Sequence, residues 1–354
     1  MFLTPWLRSI GHRLRTRKRR RAKQLEPIRQ PQPRAAVVET LEDRTMLTVD
    51  ITSVAIAAGT ATLTGDQTAT GDADALVLSV SGGNLAHNLQ SIGTLTYDSN
   101  TDFDPTVGGT QTISAGSGTT PLLTVNLLGG TDSLTIDHSG DELQGVHPIV
   151  FNGGDGNDTL IGPDTTAVTF SVTAANIGNL GGPGITDFSA VENLVGGSQG
   201  DTFDVAAAGS LAGAIDGNNG ADILQGSGIG TVVLSGSTGT GFAGTEDSIT
   251  SGFGGIDTLT GTGAGSLTGA NAASTWTLDG SPSYFHTGNL LNFSGFATLQ
   301  GGTNTDTYNV TSASSFNLNG GAANDTFDID AALTGAIDGE AGTDTLQGDN
   351  IDGV

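Results

Sequence analysis

The chain predicts an all-β fold: a parallel β-solenoid or β-roll-like repeat stack behind a disordered basic N-terminal tail. Three observations predict it. Glycine supplies 56 of 354 residues while aromatics make up 5%, which disfavours one large globular core and suits thin layers that each bury a few side chains. A nine-residue Gly/Asp frame recurs along the chain. Short strand-like alternations lie between turn signals, and no stretch supports a long amphipathic helix.

The tail occupies residues 1–48. All twelve Lys and Arg lie between Arg8 and Arg44. The block "HRLRTRKRRRAKQ" (12–24) reads as a self-repelling, solvated segment. A standard secretory signal needs an apolar run of roughly 7–15 residues after its charges; only Ala35–Val38 is continuously apolar there, so no such signal is visible.

The body, 49–354, keeps all but four of the 37 acidic residues and has no Lys or Arg. Its carboxylates cannot pair with fixed cations. They must face water, accept backbone N–H bonds or share metal ions. A nucleic-acid partner is excluded for the body, because no basic surface exists to displace phosphate counterions. The absence of cysteine rules out a disulfide scaffold and a Cys-ligated zinc site. No 18-residue apolar run is present, so no transmembrane helix is expected.

Residues 49–168 read as strand and turn repeats, as in "DALVLSVSGGNLAHNL" and "PLLTVNLLGGTDSLTIDHSG". The nine-residue frame is clearest in "GGDGNDTLI" (153–161), with Asp158 at position six and Leu160 at position eight. It recurs around Asp132, Asp201, Asp222, Asp257, Asp306, Asp325 and Asp344, and faintly around Asp74. Position eight is always bulky and apolar: Leu134, Leu160, Phe203, Leu224, Leu259, Tyr308, Phe327 and Leu346. Gly and Asn permit the left-handed conformations of a turn, and position eight should point inward on the strand that follows.

A longer duplication lies above the frame. "DTFDVAAAGSLAGAIDGNNGADILQG" (201–226) pairs with "DTFDIDAALTGAIDGEAGTDTLQG" (325–348), and "TFSV" (169–172) with "TWTL" (275–278). The chain thus divides into a first module copy at 169–274 and a second at 275–354. The second stops just after its match without a terminal cap, which a solenoid needs, so a truncated or continuing module is expected.

The frames resemble the RTX, or haemolysin-type, calcium-binding nonapeptide Gly-Gly-x-Gly-x-Asp-x-apolar-x. That resemblance implies a parallel β-roll with calcium held between stacked turns by Asp carboxylates and backbone carbonyls. It implies metal ligands at Asp155, Asp158, Asp201, Asp222, Asp306, Asp325 and Asp344, with Asp164 close enough in sequence to add to the Asp158 turn. Only 153–161 matches at every position; Gln199, Asn304 and Ala323 replace the position-four glycine, and Asn218 and Glu340 the second. Successive aspartates from Asp132 to Asp344 are separated by 26, 43, 21, 35, 49, 19 and 19 residues, not by nine. Asp158 therefore reads as isolated, whereas Asp306, Asp325 and Asp344 read as a column, with carboxylates about 4.8 Å apart if one coil takes nineteen residues. Like charges so placed repel. A bound cation or carboxylate-to-backbone bonds would relieve them, and the sequence leaves both open.

"VETLEDRTMLTVD" (38–50) resembles the LEPR-XLL segment near the start of large planctomycete-type surface proteins. Leu41, Glu42, Arg44 and Leu47 match, while Met46 stands where leucine is usual. The resemblance implies export or surface sorting.

Catalysis is not expected. Lyases on parallel β-helices typically use a basic residue, and the body has none. His87, His138, His147 and His286 lack metal-ligand spacing and read as surface or strand-end residues. No G-x-S-x-G is set at a strand-to-helix turn as a nucleophile elbow; the one match, Gly196–Gly200, falls inside the Gly/Asp frame of Asp201. The cluster in "TWTLDGSPSYFHTG" (275–288) reads as a local hydrophobic plug, with a carbohydrate-stacking patch as the alternative. The function expected is that of an extracellular or cell-surface structural and adhesive protein. Its partners would be calcium ions, cell-wall or extracellular polysaccharide, or other surface proteins. The alternative is a calcium-dependent folding module, or a non-catalytic fragment of a larger exported enzyme or adhesin.

Overall fold

The computed structural model describes residues 53–351 apart from 58–59, 66–72, 92–95, 116–122, 141–148 and 182–186. The basic tail, the "VETLEDRTMLTVD" segment and His147 lie outside the described residues. The described chain is all-β, without helices, and most of it forms one 27-stranded sheet of largely parallel pairs.

Several runs of parallel strands organise it. One stacks Ala75–Ser81, Ser133–Ile136, Thr159–Ile161 and Asn193–Val195 in register, so that Leu76, Leu134, Leu160 and Leu194 form one inward column. Another stacks Thr169–Ala174, Thr202–Val205, Ile223–Gln225 and the start of Thr258–Thr268, aligning Phe170, Phe203, Leu224 and Leu259. A later stack of Ser274–Leu278, Asp306–Val310, Thr326–Ile329 and Thr345–Gln347 aligns Trp276, Tyr308, Phe327 and Leu346. Strand side chains alternate, so one face of each strand is apolar and buried, while the outward face is mostly Thr, Ser, Asn, Asp or Gln with Val77, Ile161, Val195 and Ile223 among them.

Three single strands join these parallel blocks. Ile177–Gly181, Gly241–Glu246 and Ser283–His286 each pair antiparallel on both sides. They account for the wide sequence gaps between frames: the extra residues form hairpins beside the stack and leave the register of the next rung intact. Asp222 and Asp257, 35 residues apart, are separated in this way and remain bonded in one stack.

The core is thin and repetitive. Seven of the eight apolar residues at position eight are almost fully buried; Leu346, on the last described rung, is 49% exposed. Identical frame positions place flat rings over one another. Phe170 and Phe203 stack with centroids 5.0 Å apart, and Trp276, Tyr308 and Phe327 stack at 5.6 and 5.0 Å. Trp276 and Tyr284 are fully buried and tilt together at 4.5 Å, which makes the 275–288 cluster a plug in the core. Phe285 alone of its large rings faces outward. His87 and His286 end their strands, but these and His138 are buried, contrary to a surface placement.

Candidate functional site: three aspartate columns

The residue at position six stands at the start of each strand, just before its first residue except at Asp306, so stacked strands bring stacked aspartates. In the first column the N–H of Asp74 donates to Asp132 Oδ1, and that of Asp132 to Asp158 Oδ1, both at 2.8 Å. The N–H of Asp158 donates at 2.8 Å to Glu192 Oε2. In the second, Val168 N–H donates to Asp201 Oδ1 (2.8 Å), Asp201 N–H to Asp222 Oδ1 (2.7 Å) and Asp222 N–H to Asp257 Oδ2 (3.0 Å). In the third, the Ser274 hydroxyl donates to Asp306 Oδ1, Asp306 N–H to Asp325 Oδ1 (2.7 Å) and Asp325 N–H to Asp344 Oδ1 (3.0 Å). The direction never changes: each carboxylate caps a donor of the rung before it.

The position-one glycine makes this possible. A Cβ on Gly153, Gly196, Gly217, Gly301 or Gly320 would lie 2.6–2.8 Å from the second carboxylate oxygen of its own frame's aspartate. The carboxylate is folded back under a residue that must lack a side chain. Five of the seven residues named for metal binding (Asp158, Asp201, Asp222, Asp306 and Asp325) are accordingly at most 1% exposed. Asp344, on the last described rung, is partly buried, and Asp155 is exposed and stands outside the columns.

Position two divides the turns into two kinds. Gly197 and Gly302 donate their N–H to the second oxygen of Asp201 (2.6 Å) and Asp306 (2.8 Å). Leu128, Gly154, Asn218, Gly321 and Glu340 are instead left-handed, with φ between 58° and 109°. The N–H groups of Asn218 and Glu340 then go to Asp216 and Asp338, two residues upstream. In these turns the second oxygens of Asp158, Asp222 and Asp325 are buried without a hydrogen-bond partner. Asn218, Ala323 and Glu340 tolerate the left-handed region where glycine would be easier.

Burial governs the electrostatics. It pushes the Asp158 carboxyl up to about 6, against the lowering effect of the Asp132 N–H, with Glu192 adding to the rise. It pushes Asp222 up to about 7, opposed by the Asp201 N–H and reinforced by Asp201, Asp257 and Asp216. Asp306 rises to about 6 by burial, against the Ser274 hydroxyl and the Gly302 N–H. Asp201, Asp257 and Asp325 are raised for the same leading reason. Desolvation of an anion outweighs one or two N–H bonds when no cation is near.

The calcium implied by the nonapeptide resemblance does not fit these carboxylates. Calcium asks for about 6–8 oxygen ligands converging on one point. Here the first oxygens face N–H hydrogens, a setting that favours anions. The unpartnered second oxygens lie against glycine Cα atoms with too little room for a methyl group. Among the described residues, no group of three or more His, Asp or Glu is placed to hold a metal ion.

Sequence reasoning overlooked Glu192. It is 8% exposed, takes the aspartate's place at the end of the first column and accepts a second bond from Asn176 Nδ2 at 2.7 Å. The signal was present: Glu192 precedes Leu194 by two, as Asp158 precedes Leu160. Asp158 itself is not isolated, because Asp132 lies directly above it despite the 26-residue separation. Comparison with protein-family models, with curated proteins and with solved structures finds no match to this chain.

Proposed function

We propose that this is an extracellular or cell-surface structural and adhesive protein whose body is a parallel β-solenoid that does no catalysis. The observation that carries the reading is the rung-to-rung carboxylate ladder. Ionisable side chains that could serve chemistry are instead buried in repeated, structural roles. What remains outward is a periodic array of hydroxyl, amide and carboxylate groups, such as the in-register row Thr275, Thr307, Thr326 and Thr345. A cavity of about 350 Å³ lined by Val233, Ser235, Thr245, Asn271 and His286 has no carboxylate to pair with its histidine, so it supplies no acid–base couple. The Lys- and Arg-free body also offers trypsin-like proteases no cleavage site, which suits exposure outside the cell. The resemblance of residues 38–50 to a surface-protein segment points the same way.

Antibody raised against residues 49–354 tests the location. It should label intact, unpermeabilised cells that make the protein; labelling only after permeabilisation overturns the reading. Co-sedimentation of the purified chain with isolated cell-wall polysaccharide tests adhesion to that surface.

A further inference from the structure

We infer that the aspartate columns are closed by the polypeptide itself, each carboxylate capping a donor of the preceding rung, so that the body folds and holds its register without calcium. The clearest witness is Asp158. It sits in the one segment that matches the calcium nonapeptide at every specified position, yet it behaves like its less faithful neighbours. It is fully buried, its Oδ1 caps the Asp132 N–H at 2.8 Å, and its own N–H is capped by Glu192. A glutamate in the column is informative. Its extra methylene alters the geometry that an ion shared between identical turns would require, whereas a flexible acceptor still reaches a backbone N–H.

The three columns begin on different donors. Val168 offers a backbone N–H and Ser274 a hydroxyl, so the first capped group need not belong to an acidic residue. Two stacked carboxylates could share an ion; a carboxylate beneath valine has no such partner above it and still makes its 2.8 Å bond. The repulsion expected between stacked aspartates is thus met by interposed N–H dipoles rather than by a metal. The ladder concerns how the stack is held, and it stands whether or not the surface is adhesive.

The test uses the full chain stripped with a chelator and then supplied with millimolar calcium or, at equal ionic strength, magnesium. The expected result is a β-type circular dichroism spectrum in the chelated protein and a Tm that differs by less than about 3 °C between the two ions. A strand spectrum that develops only with calcium overturns the inference, as does a calcium-specific Tm rise of about 10 °C or more. Asp158→Asn adds an independent arm. Asparagine keeps an oxygen for the Asp132 N–H but is a poor calcium ligand, so the variant should melt near the wild type in either ion. A calcium-dependent rise in the wild type that Asp158→Asn abolishes would place the ion at this turn and sink the proposal.

Discussion

Asp222 accepts the backbone N–H of Asp201 at 2.7 Å across 21 residues, while its other oxygen is buried without a partner. Asp201 makes the equivalent bond to Val168 but also accepts the Gly197 N–H at 2.6 Å through its second oxygen. The same substitution should therefore have opposite consequences at the two positions. In Asp222→Asn the amide oxygen keeps the ladder bond and the NH2 replaces an oxygen that had no donor. At pH 8 this variant should be as stable as the wild type or more so. In Asp201→Asn one of the two N–H groups must face an NH2, and about 1–3 kcal/mol should be lost. Urea denaturation of both variants checks the contrast; equal losses would mean that the second oxygens are equivalent.

The buried carboxyls also set a pH dependence. Asp158 and Asp306 titrate near 6 and Asp222 near 7 in the folded protein, all above the ordinary carboxyl value of 3.8. Between about 4 and 7 the folded state therefore binds more protons than the unfolded state, and stability falls as pH rises through that window. The contribution is complete below the unfolded value and lost above the folded one. The Tm should be higher at pH 5 than at pH 8, and Asp222→Asn should flatten the profile. A Tm that climbs steadily from pH 5 to pH 8 would show that the ionised ladder is the stabilising form.

The strand starts are legible in the sequence, because a turn closed by Asp and followed by an inward residue at position eight is a local matter of backbone conformation. Stacking is not local. The 19-residue spacing of Asp306, Asp325 and Asp344 shows their column directly, since each rung there is only two short strands and two turns. Asp132 and Asp158 are equally well stacked, but the longer excursion between them hides it. The hairpin strands Ile177–Gly181, Gly241–Glu246 and Ser283–His286 lengthen the gaps further without disturbing register. Which donor each carboxylate meets is not readable from the frame, because that donor comes from another rung.

Position one of the frame should not tolerate a side chain. A Cβ on Gly320 would come within 2.6 Å of Asp325 Oδ2 and 2.7 Å of the Gly339 carbonyl oxygen. One is a buried ladder carboxylate and the other backbone, so neither can move cheaply. Gly320→Ala should cost about 2–4 kcal/mol through strain and a displaced ladder bond. Gly239 is exposed, has nothing within 4 Å of its Cβ position and needs no left-handed φ. Gly239→Ala should change stability by less than about 0.5 kcal/mol. Paired thermal melts decide it, and comparable losses in the two variants would remove the wedge argument.

Position eight offers the matching test for the core. Phe203 is fully buried, stacked 5.0 Å from Phe170 on one side and aligned with Leu224 on the other. Truncation to alanine removes contacts on both faces and leaves a cavity between rungs, with an expected loss of about 3–5 kcal/mol. Leu346 occupies the same frame position but is 49% exposed and has a described neighbour, Phe327, on one side only. Leu346→Ala should cost less than about 1 kcal/mol, since little area returns to water and no enclosed void forms. Because each rung contacts only its neighbours, an interior loss should also weaken the adjacent rungs. Hydrogen exchange should therefore show Phe203→Ala lowering protection in Thr169–Ala174 and Ile223–Gln225 as well as in its own strand. Loss of protection confined to Thr202–Val205 would mean that the rungs are not coupled through this column.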